Sequence, residues 1–205
     1  MRIVSRLPPG ELQLYFKERF NIAPTQDAPV ILLEDSRLEQ RAMRWGLQPS
    51  WANFPIINVK SETVTAKPTF RESFSSRRCL VPADGFYEWQ KPARTPFRFV
   101  LPDRSAFCFA GIWDRSLIKS AGQPVETFAI VTTAASADVR PVHERMPLII
   151  PPQDYENWLS NPAQAAEMLK AKYAIKLDSY PVNSIVNKAA NEDPRCIQPP
   201  DKTLI

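Results

Sequence analysis

A chain of 205 residues that is 44% apolar and 23% charged has the make-up of one folded domain, not of a disordered polymer. Its longest apolar runs, such as Met146 to Ile150, fall far short of the roughly 20 residues a membrane span needs, and Met1-Arg2-Ile3-Val4-Ser5-Arg6 lacks the apolar stretch of a signal peptide. The net charge of +4 permits a nucleic-acid partner without demanding one.

In chain order, Pro8 to Phe16 predicts a short helix, with Leu12, Tyr15 and Phe16 on one face. Asn21 to Thr25 predicts a turn, because Pro24 drives Ala23 into an extended conformation. Ala28 to Leu33 reads as a buried strand, and Gln40 to Trp45 as its hairpin partner. Short strand signals then follow at 78–82, 85–89, 97–101, 107–113, 128–132 and 146–150, with polar turns between them. No helical pattern separates these strands, so parallel βαβ units do not fit. The clear helices come late. One spans Pro152 to Leu159, and another opens at Asn161-Pro162-Ala163-Gln164, with Asn161 at the N-cap, Pro162 at N1 and Gln164 at N3. From Tyr180 the tail is rich in Pro and Asn and reads as irregular. The expected fold is α+β: a single domain over residues 1–205, with a curled, mainly antiparallel, barrel-like sheet and short peripheral helices.

Proline occurs 21 times and glycine only 5 times, so the loops are stiffened and little glycine remains for phosphate-cradling turns. Neither G-x-x-x-x-G-K nor G-x-G-x-x-G is present, and no nucleotide or other cofactor is expected. Cys79, Cys108 and Cys196 lie far apart with no C-x-x-C spacing. That disfavours a disulfide scaffold or a structural zinc site and points to a reducing cytoplasm. No heptad stretch predicts a coiled coil, so a monomer is expected.

Three residues stand out for chemistry. His143 is the only histidine, in Val142-His143-Glu144-Arg145-Met146-Pro147 at the mouth of a strand. It is either an ordinary packed or surface residue or a group that acts by acid–base exchange or by orienting another group. Glu88 lies between Tyr87 and Trp89 in an aromatic strand. Alternation puts Phe86 and Glu88 on one face and Tyr87 and Trp89 on the other, so Glu88 either faces water or is a carboxyl with a raised pKa. Asn58 interrupts the apolar run Ile56-Ile57-Asn58-Val59, either as a turn or as a polar group aimed at a substrate. Between residues 60 and 78, Lys60, Lys67, Arg71, Arg77 and Arg78 collect, diluted by Glu62 and Glu72. Trp45, Trp51, Phe54, Phe70 and Phe74 are interleaved with them or lie just before. Cations with aromatic rings suit single-stranded nucleic acid, and a solvated basic face over core aromatics gives the same pattern.

These segments carry a resemblance. Phe20 to Thr25, Arg44 to Leu47, Asn58 to Thr63, Arg78 to Trp89, Thr132 to Ala135 and His143 to Pro147, taken in order, resemble the SRAP family (SOS response-associated peptidase) from about Phe20 to Pro199. The resemblance implies binding of abasic sites in single-stranded DNA and a covalent crosslink in the DNA-damage response. In the family, an N-terminal cysteine supplies an amine that forms a Schiff base with the open sugar and a thiol that closes a thiazolidine. By motif, Asn58 would position the reacting groups, Glu88 would shuttle protons, and His143 would assist sugar opening. Thr132, Asn21 and Pro24 would line the pocket. Trp51, Lys60, Arg71 and Arg145, with Arg2, would meet bases or phosphates. No cofactor, metal or membrane is implied.

The chain departs from the family in two places. The family begins Met-Cys-Gly-Arg, and this sequence begins Met1-Arg2-Ile3-Val4; inserting Cys-Gly would restore the pattern. For the sequence as written, this predicts impaired crosslinking, with a transient imine and strand nicking in place of a thiazolidine. The family's Asn-Ala-Arg reads Asn58-Val59-Lys60, which keeps the charge and loses the bidentate fork. The alternative reading is a non-catalytic single-stranded DNA-binding module, or a peptidase with another substrate.

Overall fold

The computed structural model describes residues 18–117, 122–171 and 173–200. The helix expected at Pro8 to Phe16, and Arg2, lie outside the described residues.

The first hairpin forms as expected. β1 (Asp27–Glu34) pairs antiparallel with β2 (Arg37–Trp45), from Asp27 opposite Arg44 to Glu34 opposite Arg37. Val30, Ile31 and Leu32 are all buried, because both faces of β1 are covered. β1 also pairs with β4 (Arg78–Ala83), and β4 with β7 (Phe107–Leu117). β7 pairs with β8 (Pro124–Ala134), and β8 returns to β2 in parallel through Arg44–Thr127 and Trp45–Phe128. The ring β1–β2–β8–β7–β4 is therefore a closed five-stranded barrel. Closure removes the open sheet edges that would otherwise invite further pairing. The seam between β2 and β8 is parallel, which short-range strand signals could not reveal.

Residues 146–150 do not form one strand. β9 (Arg145–Pro147) pairs with β8, and β10 (Ile149–Ile150) pairs with β7. Pro147 has no N–H to extend its ladder, and the chain changes partner at Leu148, whose N–H meets Val131 O at 2.8 Å and whose carbonyl takes the Ala110 N–H at 2.8 Å. β3 (Asn58–Lys60) adds to β8 in parallel, outside the barrel ring. A second sheet orders β11 (Asp178–Pro181), β6 (Thr95–Val100) and β5 (Phe86–Gln90), all antiparallel. β11 corrects the expectation of an irregular tail from Tyr180; Asp178-Ser179-Tyr180-Pro181 has no apolar alternation to mark it as a strand.

Two cores form on opposite sides of the strands. One draws Val30, Met43, Cys79, Val81, Phe109, Phe128 and Ile130 from all five barrel strands, and Phe86 and Phe99 of the small sheet extend it. Phe86 stacks on Phe99 at 5.1 Å and meets Phe109 edge-on at 5.9 Å. The other packs Ile31, Leu80, Ala110 and Val131 against α1 (Pro68–Ser76), α2 (Tyr155–Ser160) and α3 (Pro162–Met168). A 3₁₀ turn at Pro152–Asp154 precedes α2. Asn161 caps α3 as expected, accepting from the N–H groups of Ala163 and Gln164. α1 is an addition to the expected elements. Its signals are Pro68 in the first turn and the buried pair Phe70 and Phe74, four residues apart on one face.

Arg78 joins the helices to the barrel. Its guanidinium is buried and donates to the carbonyls of Phe74 and Ser75 at the end of α1, each at 2.6 Å. It also donates to Trp158 O at 2.6 Å and Leu159 O at 2.9 Å at the end of α2. Two negative helix ends are thus neutralised by one cation. Burial pulls its pKa down from the ordinary arginine value. Its inclusion in an exposed basic face is therefore corrected, while Phe70 and Phe74 are core residues, as the reading of a basic face over core aromatics has them.

Candidate functional site

Glu88 sits on β5, opposite Phe97 of β6. The alternation read from sequence holds, but both faces of the strand are largely covered. Phe86 packs on the barrel, and Tyr87 and Trp89 pack under the tail with Val182, Val186 and Cys196. Tyr87 Oη donates to Phe20 O at 2.6 Å, and Trp89 Nε1 to Asn187 Oδ1 at 2.7 Å. The Glu88 side chain is only 22% exposed. The water-facing reading is therefore set aside.

Oε1 of Glu88 lies 3.8 Å from Nδ1 of His143, in the turn that leads into β9. Burial pushes the Glu88 carboxyl above the usual carboxylate range; the His143 ring and the Trp89 backbone N–H oppose that shift. The two segments are tied together by Gln90, whose Nε2 donates to Pro141 O at 3.2 Å. His143 Nδ1 meets both backbone groups of Arg145, the N–H at 3.1 Å and the carbonyl at 3.0 Å. With its proton on Nε2, the neutral ring accepts from that N–H at Nδ1; with its proton on Nδ1, it donates to that carbonyl. In the imidazolium, Nδ1–H donates to that carbonyl. This backbone seat serves both protonation states, as a proton carrier requires.

The neighbouring face comes from β3, β8 and β9. Asn58 aligns with Ile130, Lys60 with Thr132, and Thr132 with Pro147, while Arg145 aligns with Ala134. Residues of equal parity share a face, so Asn58, Lys60, Thr132 and Arg145 fall on the same side. Asn58 is exposed within a strand, not in a turn, and its amide makes no hydrogen bond among the described residues. Lys60 is also exposed. Thr132 is buried, with Oγ1 3.4 Å from Val59 O.

Other expected site residues hold different positions. Arg145 is not a free cation. Its fork donates to both Glu62 oxygens, at 2.5 and 2.9 Å, and to Thr132 O at 2.6 Å. Glu62 is held at a pKa of about 2 by that guanidinium. Sequence reasoning treats Glu62 only as charge dilution, and nothing in its local pattern announces the pairing. Asn21 is buried, and its amide donates to Val186 O and Lys188 O at 3.1 and 3.0 Å, anchoring the tail. Pro24 is exposed in the turn before β1. Arg71 is exposed on α1, 3.3 Å from Ala66 O. Trp51 lies in a loop closed by the Leu47–Ile56 bridge, 66% exposed, with Phe54 beside it in sequence at 80%. Gly46 opens that loop at φ +135°, where an added Cβ would come 2.6 Å from Pro55 Cβ.

The three thiols are buried. Burial raises all of them, Cys108 to about 12, so none is a reactive thiolate. Among the described residues, no three His, Cys, Asp or Glu side chains gather to hold a metal ion, and no helix is long and apolar enough to cross a membrane.

The sequence model described as SOS response associated peptidase (SRAP) matches residues 6–189. The chain belongs to the SRAP family. It is 32% identical over 204 residues to the abasic site processing protein YoqW of Bacillus subtilis, covering 94% of this chain and 89% of that one. It is 29% identical over 225 residues to the abasic site processing protein HMCES of Gallus gallus, covering 90% and 67%. The fold is similar to a crystal structure of a protein from Bacteroides thetaiotaomicron, with TM-score 0.73 and 31% identity over 85% of this chain and 82% of that one. It also resembles a phage-related protein from Bordetella bronchiseptica, with TM-score 0.70 and 30% identity over 84% and 85%.

Proposed function

We propose that this protein processes abasic sites in single-stranded DNA by covalent attack on the ring-opened sugar aldehyde, with Glu88 and His143 moving the protons. The observation that carries this reading is the largely buried Glu88 carboxyl, 3.8 Å from His143. Membership of the SRAP family and the names of the curated relatives support the choice of substrate.

Imine formation needs two proton movements. An amine adds to the aldehyde carbon, and a proton passes from nitrogen to oxygen to give a carbinolamine. The hydroxyl then leaves as water, taking a proton from an acid. A carboxyl whose pKa is raised by burial is available in its protonated form to serve that step, and the carboxylate left behind takes a proton back from nitrogen. His143 exchanges protons at the sugar, because its Nδ1 seat accepts either charge state. None of the three cysteines is the nucleophile, since each thiol is buried and its pKa raised. The attacking group proposed is an amine, and the imine it forms is one that borohydride fixes. Lys60 and Arg71 meet phosphates, and Trp51 and Phe54 offer rings to unstacked bases.

Fluorescence anisotropy on labelled oligonucleotides tests the recognition step. The abasic single strand is expected to bind more tightly than the same strand with all bases or the matching duplex, and binding should weaken as salt rises. Asn58→Ala is expected to remove the preference for the abasic strand. Equal binding of abasic and intact strands at every salt concentration would overturn the reading.

A further inference from the structure

The turn that leads to His143 is tied to the small sheet at both of that sheet's edge strands. Residues 137–142 connect β8 to β9, and Val139 O accepts the N–H groups of Val142 and His143 at 2.9 and 3.0 Å. The histidine backbone therefore goes where this turn is seated. At one edge, Gln90 of β5 donates to Pro141 O. At the other, Asp138 meets the entry of β11: Oδ2 accepts the Leu177 N–H at 3.0 Å, and Oδ1 pairs with Lys176 Nζ. Leu177 directly precedes β11, whose Asp178 stands opposite Val100 of β6, and β6 in turn sets Phe97 opposite Glu88. A continuous ladder thus runs from the residue that Asp138 holds to the strand that carries Glu88. Val139, Val142 and Leu177 share one core with Phe86 and Phe99. That apolar contact is non-directional, so it joins the turn to the sheet without fixing where the turn sits. A bond to a backbone N–H does fix it. The Lys176 ammonium, and then the Leu177 N–H, hold the Asp138 carboxyl below its ordinary range, so the acceptor is a charged one.

We infer that Asp138 is a positioning residue: by accepting the Leu177 N–H it seats the turn that leads to His143 on the same small sheet that carries Glu88, and so sets the approach of the imidazole to the carboxyl. The inference rests on the proposed function for its catalytic readout and on the structure alone for its spectroscopic one. The ion pair is the lesser of the two Asp138 bonds, because the Lys176 side chain is 70% exposed and an exposed pair holds geometry weakly. The Asp138 carboxylate is only 21% exposed, and its other oxygen is committed to the backbone. Asp138 thus acts through the backbone of the turn, and Glu88 and His143 ride on one body although their strands belong to different sheets.

The chain has one histidine, so its ring ¹⁵N signals belong to His143 without further assignment. At one fixed pH, Glu88→Gln is expected to move those signals in the wild-type background, and to move them about half as far or less when Asp138→Ala is also present. Asp138→Asn, which keeps an acceptor for the Leu177 N–H, and Lys176→Met, which removes only the ion pair, should each retain the full response. In Asp138→Ala the Leu177 amide is expected to exchange with solvent roughly tenfold faster, as for loss of one net hydrogen bond. With abasic single strands, Asp138→Ala is expected to slow adduct formation roughly tenfold through loss of positioning, with DNA affinity within about twofold of wild type. An undiminished His143 response to Glu88→Gln in the Asp138→Ala background would overturn the inference. So would a response absent from wild type, or one lost equally in Lys176→Met. If wild type forms no adduct at all, the proposed function fails and the ¹⁵N cycle still decides the positioning role.

Discussion

Glu88 and His143 reach each other from different sheets: the carboxyl stands on β5 of the small sheet, and the imidazole on the turn feeding β9 of the larger sheet, 3.8 Å from Oε1 to Nδ1. Phe86, two residues before Glu88 on the same face, packs against Phe99 and Phe109 and so fixes the small sheet on the barrel. Gln90, two residues after it, bonds the loop that precedes His143. The Glu88–His143 pair is therefore held by packing on one side and by a hydrogen bond on the other.

The carboxyl of Glu88 carries a stability cost with a definite sign. Burial raises its pKa in the fold, so the unfolded chain releases this proton first as pH rises. The group's contribution to stability is greatest below the unfolded carboxylate range and falls as pH climbs through the folded value. Glu88→Gln removes the charge at nearly constant shape. The variant is expected to melt with wild type at pH 4 and above it at pH 8, by calorimetry. Adduct formation with abasic strands is expected to fall by about 10²- to 10⁴-fold, the range for loss of an acid–base group. A variant less stable than wild type at pH 8 would contradict the burial cost.

Arg78 makes the second prediction. Its four carbonyl partners lie at the ends of α1 and α2, and three of its four bonds measure 2.6 Å. Arg78→Met leaves those buried carbonyls without donors. The expected loss is about 3 kcal/mol, the lower end for breaking a buried charged network. Urea unfolding followed by tryptophan fluorescence measures it, and a loss under about 1 kcal/mol, the worth of one ordinary hydrogen bond, would contradict the clamp.

The loop bearing Trp51 and Phe54 should separate binding from stability. Both rings are exposed and absent from the three cores. Trp51→Ser with Phe54→Ser is expected to leave Tm unchanged and to weaken single-strand binding by about 1–3 kcal/mol per lost stacking contact. Unchanged affinity would remove this loop from the DNA surface.

Much of the fold is legible where apolar runs are long and bounded. Ala28 to Leu33 announces β1, and Asn161-Pro162 announces α3 through cap chemistry that acts within one turn. The parallel closure of β2 on β8 is not legible, because it joins segments far apart in sequence and leaves no local mark. β11 escapes sequence reading because its partner β6, not its own pattern, makes it a strand. At the site, Phe86/Glu88 alternation is correct, yet which face is open depends on a tail whose own sequence reads as irregular. Arg78 and Arg145 look like exposed cations in a basic sequence. The helix ends and the Glu62 carboxylate that engage them become visible only in three dimensions.

The proposed function predicts an amine-derived adduct with an abasic aldehyde, formed through the Glu88–His143 pair. Intact mass spectrometry after incubation with a single strand bearing one abasic site, with and without borohydride, tests it most directly. The expected result is a protein–DNA adduct that survives denaturation only when borohydride is present, and that Glu88→Gln and His143→Ala each diminish. An adduct equally stable without borohydride, or one untouched by both substitutions, would contradict it.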